Sequence, residues 1–90
     1  MNTETAAVTG ERKAARDHVV ALFDAAYEVA KADAAYGTEK ATEAQNAAFD
    51  AAAANGWDWE KDSEFSDWAL KATDLEIIAE GKKRFLKATS

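Results

Sequence analysis

AANGWDWEKDSEF, residues 53–65, decides how this chain folds, because one helical pattern stops inside it and another starts. Asn55-Gly56 is a strong helix-ending signal, since glycine enters the left-handed region without a steric penalty. Asp62 and Ser63 both have side chains suited to cap the first amides of a new helix. Between these signals lie two tryptophans and two acids. An extended backbone there sends Trp57 and Trp59 to one side and Asp58 and Glu60 to the other.

Upstream, the spacing predicts a helix over about 39–54 with a stripe of Ala41, Ala44, Ala48, Phe49, Ala51 and Ala52. Those alanines permit close helix approach but bury little apolar area, so Phe49 is its large anchor. Before it, a helix over about 11–36 starts near Thr9 or Gly10. Its apolar positions, Ala15, Leu22, Val29 and Tyr36, fall seven apart, with Val19, Ala26, Phe23 and Ala30 beside them. Gly37 is placed to cap its end and Thr38 to cap the next start, a short joint that makes the two helices antiparallel neighbours. Downstream, a third helix is expected over about 63–87 through Phe65, Trp68, Ala72, Leu75, Ala79 and Leu86, with Ile78 and Phe85 adjacent. Its first turn is acidic and its last basic, as the helix dipole favours. Gly81 in its interior marks a bend, a close contact or a fraying end.

The expected fold is therefore all-α: a small antiparallel three-helix bundle forming one domain, residues 1–90, with 1–8 and 88–90 loose. At about 1.5 Å per residue the helices span roughly 39, 24 and 38 Å. The middle one is short, and segment 55–62 is expected to run back along the remaining length. Trp68, in register with Phe65 and Ala72, reads as core, while Trp57 and Trp59 either cover the bundle or face a partner.

Charge narrows the function. The net charge is −6, and residues 38–80 carry eleven acids against three bases, whereas residues 81–90 carry four bases and no acid. Such a field repels nucleic acid and anionic lipid and attracts basic surfaces. The chain has no cysteine and no proline, which removes disulfides and thiolate metal sites and suits a cytoplasmic setting. No signal-peptide pattern opens it, and no apolar run approaches the roughly 20 residues of a membrane span.

Catalytic and metal readings find little support in the residues. Asp58, Glu60, Asp62 and Glu64 alternate like a calcium loop, but positions six and twelve of that frame hold Ser63 and Ala69 where glycine and glutamate are required. The single histidine, His18, sits beside the stripe of the first helix and reads as a half-buried packing residue. The four glycines are scattered, so no phosphate loop is present. No cofactor, no metal and no enzymatic activity are expected.

What rises above background is the acidic, aromatic segment. Tryptophan is enriched at interface hot spots, and surrounding carboxylates steer a basic partner. The candidate partner-binding residues are Trp57, Asp58, Trp59, Glu60, Asp62, Glu64 and Asp67. In size, charge and helicity, and in no specific residue, the chain resembles the small acidic helical proteins that phages use against host defence, including anti-CRISPR and DNA-mimic proteins. That resemblance implies an inhibitor occupying a basic, nucleic-acid-binding surface of a partner protein. The alternative expectation is a self-assembling helical oligomer with a structural role, or a small-ligand site between subunits. There the basic end 82–87 of one copy would meet the acidic 58–67 segment of another.

Overall fold

Four α-helices and one 3-10 turn make up the described part of the chain. The computed structural model describes the backbone of residues 2–32 and 39–89 and the side chains of residues 12–32 and 40–89. Helix α1 is Asn2–Ala32, α2 Glu39–Ala54, α3 Ser63–Ala69 and α4 Asp74–Ala88, with the 3-10 turn at Trp59–Lys61 between α2 and α3. No strand occurs among the described residues. The caps expected at Gly37 and Thr38, and the Tyr36 end of the stripe, lie outside the described residues, as do Met1 and Ser90.

The helix expected from Glu11 begins instead at Asn2 and passes through Gly10. Glycine costs a helix about 1 kcal/mol relative to alanine but lacks proline's steric clash, so it does not end one. At the other end of the chain Thr89 is tied back: its amide and its hydroxyl both donate to the Phe85 carbonyl, at 3.0 and 2.8 Å.

The third expected helix is two helices, not one. Its break lies at residues 70–73, where Thr73 accepts from the Glu76 amide and Glu76 accepts from the Thr73 amide and hydroxyl. This reciprocal capping satisfies amides that a continuing helix would have bonded otherwise. The Thr73 hydroxyl, followed by its amide, lowers the Glu76 pKa from the ordinary carboxylate value. The break also resets the helical phase. Buried positions on α4 are Ile78, Gly81 and Phe85, while Ala79 is exposed and Leu75 and Leu86 are half-buried, displacing the expected stripe by about one residue.

Chain direction follows from pairs across the core. Phe23 and Phe49 meet edge to face at 5.2 Å, about equally far along the chain from the junction of α1 and α2, as an antiparallel pair requires. Lys82 meets Asp24 at 2.7 Å and the Arg16 guanidinium reaches the Leu86 carbonyl at 3.5 Å, so α4 also runs antiparallel to α1. Helices α2 and α4 are therefore parallel, contrary to an up-down-up bundle. Residues 55–73 carry the chain back along the molecule between them, a longer return than segment 55–62 alone.

The core is Val19, Phe23, Ala26 and Ala30 of α1, Ala48, Phe49 and Ala52 of α2, then Trp57, Phe65, Ile78 and Phe85. The stripe of α1 is centred on these four positions, with Ala15, Leu22 and Val29 half-buried at its flank. The alanine face of α2 is used as expected. Gly81 provides the close contact: a β-carbon there would stand 2.6 Å from Phe49 Cζ and 3.0 Å from Phe23 Cε1. Aromatic rings locked in a packed core cannot yield that distance cheaply.

Candidate functional site

The segment after α2 is shaped first by how that helix ends. Gly56 has φ 119°, and the Trp57 amide donates to the Ala52 carbonyl at 3.0 Å. This six-to-one bond belongs to the glycine-terminated helix cap in which the residue after glycine packs back on the last turn. Trp57 is that residue. It is 7 % exposed, with its ring 5.9 Å from Phe49 and 5.1 Å from Phe65. Trp57 is therefore a core residue and not a surface anchor.

The backbone then turns instead of extending. Asp58 accepts from the Glu60 amide at 3.0 Å and caps the 3-10 turn 59–61. Trp59 still lands on the side of Trp57, 6.4 Å from Phe49, but remains 36 % exposed. Its carbonyl accepts from the Ser66 hydroxyl at 3.0 Å, which ties the turn to α3. Trp68 lies against Phe65 at 5.8 Å and is 38 % exposed, so it sits at the rim and not in the core. The break after α3 explains this, since no longer helix holds Trp68 against α1. Leu70, in the break itself, is 85 % exposed.

The Asp62 carboxylate is a junction of three groups. It accepts from the Phe65 amide as the N-cap of α3, from the Trp57 indole N–H at 3.2 Å, and from Arg84 Nη1 at 3.2 and 3.0 Å. Arg84 spreads its remaining donors to Glu64 at 2.9 Å and Glu80 at 2.8 Å, and its guanidinium carbon lies 5.6 Å from the centre of the Phe65 ring. The Phe65 amide, aided by Arg84 and Trp57, holds the Asp62 carboxyl below its usual range, against the opposing cost of burial. Glu80 foremost, then Glu64 and Asp62, hold Arg84 more firmly protonated. Planar guanidinium geometry suits this fork of carboxylates, which lysine could not match.

The clasp divides the seven candidate residues. Trp57, Asp62 and Glu64 serve the fold, although Glu64 stays largely open to solvent. Trp59, Glu60 and Asp67 remain exposed and Asp58 half-buried. Glu60 and Asp67 make no ion pair among the described residues. The basic end of α4 meets acidic 62–64 within the same chain through Arg84.

On the other flank of Phe65 a groove of about 210 Å³ opens beside Trp59. Its floor is Phe49, Phe65, Ala69 and Ile77, and its α2 rim is Gln45, Asn46 and Asp50. Asp50 likewise has no ion-pair partner among the described residues. The reading of the segment missed this rim because it lies on α2. Gln45 and Asn46 precede Phe49 by one helical turn, a spacing that already put them beside it.

His18 is exposed on α1 rather than half-buried. Among the described residues no group of three or more His, Cys, Asp or Glu side chains is placed to hold a metal, and no helix is long and apolar enough to cross a membrane. Comparison of the chain with protein families, with curated proteins and with solved structures finds no match.

Proposed function

We propose that the protein is a non-enzymatic, acidic binding module that occupies a basic surface of a partner protein. The observation that carries this reading is the composition of one segment. Among the described residues, three of the four large exposed hydrophobic side chains, Trp59, Trp68 and Leu70, fall within residues 59–70, the fourth being Tyr27. Glu60 and Asp67, without ion-pair partners among the described residues, share that segment. Exposed tryptophans supply binding energy on desolvation, and unpaired carboxylates supply orientation and a fast encounter. A partner whose basic surface ordinarily holds nucleic acid would be blocked, so inhibition is the expected consequence. The alternative, self-assembly through opposite charges, is less favoured on charge, because Arg84, one of the four bases of 82–87, engages Asp62 and Glu64 within one chain.

Affinity capture from a nuclease-treated lysate of the native host tests this. The expected partner is basic, is retained at low salt and released at high salt, since exposed charges are screened beyond about 8 Å at physiological ionic strength. It is lost with Trp59→Ala/Leu70→Ser and with Glu60→Lys/Asp67→Lys. Retention that ignores both salt and charge reversal contradicts the proposal.

A further inference from the structure

We infer that the groove beside Trp59 receives an arginine side chain of the partner, an inference that rests on the basic-partner reading above. The chain itself supplies the template. On one flank of Phe65, Arg84 lies over the ring while its nitrogens are taken by the carboxylates of Asp62, Glu64 and Glu80. On the groove flank the same ingredients recur without a cation. Phe65 and Phe49 give the floor and Trp59 an indole wall. Asp50 gives a carboxylate, and Gln45 and Asn46 give amide oxygens. An aromatic wall attracts a guanidinium through its quadrupole, and a lone carboxylate accepts two of its parallel N–H groups. The apolar floor suits the methylene stem, which a charged head leaves behind on desolvated surface. Lysine matches this lining less well, being a strongly hydrated point charge without a planar face. An uncharged side chain would fill the floor but leave Asp50 without a counter-charge.

Backbone and indole N–H resonances of the isotopically labelled protein, followed during titration, give the test. The probes are three five-residue peptides alike except for two arginines, two lysines or two norleucines. The arginine peptide is expected to shift the Trp59 indole and the Asn46 and Asp50 amides, and to bind about five- to tenfold more tightly than the lysine peptide. Asp50→Asn, at an exposed position, should abolish that preference while circular dichroism remains unchanged. Trp59→Phe should reduce it. Equal binding of arginine and lysine peptides, with shifts spread over Glu60 and Asp67, overturns the arginine site and leaves the basic-surface reading standing. Equal binding of the norleucine peptide in the groove overturns it in favour of an apolar side chain. Groove shifts that depend on protein concentration without peptide overturn it in favour of a second copy. Failure of both cationic peptides to shift any resonance at low salt overturns the basic-surface reading as well.

Discussion

The two flanks of Phe65 use one chemistry to opposite ends. On the α4 side, three carboxylates and a ring surround Arg84, and each of those acids is paired with a cation of its own chain. On the α2 side, a ring floor, Trp59 and Asp50 line an open groove with no cation in place. The difference teaches that an acidic segment is not one object. An acid whose cation comes from its own chain is structural, while an acid left without one is available to a partner.

Removing the shared wall should have the largest effect. Phe65→Ala is expected to cost about 3–5 kcal/mol, the usual loss for an aromatic ring deleted from a packed core. In a domain of this size that is most of the stability, and urea unfolding would read it. Next comes the clasp. Asp62→Ala removes an N-cap, an indole acceptor and half of an arginine fork, for about 2–3 kcal/mol after allowing for its partial exposure. Arg84→Lys retains the charge but not the fork, and should cost about 1–2 kcal/mol by the same measurement. Gly81→Ala should also destabilise, by about 1–3 kcal/mol, because overpacking against Phe49 and Phe23 outweighs the gain in helix propensity. Neither clasp change, Asp62→Ala or Arg84→Lys, should alter the arginine preference of molecules that remain folded. The open flank should behave in reverse: Asp50→Asn and Asp67→Asn are expected to move stability by less than about 0.5 kcal/mol, as surface substitutions usually do, while weakening partner binding.

Acid sharpens the same contrast. The Asp62 pKa lies below its unfolded value of 3.8, so its contribution to stability is fully present above that pH. It is lost as pH falls from there through the lower folded value. Thermal unfolding between pH 7 and pH 2.5 should show an acid limb that is shallower in Asp62→Asn.

Much of this was legible in the residues, and each miss has its own physical cause. The all-helical class, the end of α2 at Asn55-Gly56 and the start of α3 at Asp62-Ser63 rest on local capping chemistry. Trp57 was legible too, since the residue after a capping glycine packs back on its helix, yet its neighbour in composition, Trp59, obscured that rule. The break before α4 also stood in the open as T73-D-L-E76, a capping box hidden by an apolar periodicity that runs across it. Periodicity averages over a window, whereas one capping box interrupts a helix at a point. Arg84 with Asp62 could not be read, because they stand 22 residues apart and meet only through the return of residues 55–73. The Asp50 rim was missed for the same reason: its place beside Trp59 depends on tertiary packing.

Parallel melting of Asp62→Ala and Asp67→Ala at pH 7, by circular dichroism, tests the division of the acidic segment most directly. Both remove one carboxylate from the same stretch. The clasp predicts a fall in Tm of about 8–16 °C for Asp62→Ala, taking about 2 kcal/mol at 4–8 °C per kcal/mol, and a change within about 2 °C for Asp67→Ala. Equal shifts in the two variants would contradict the division.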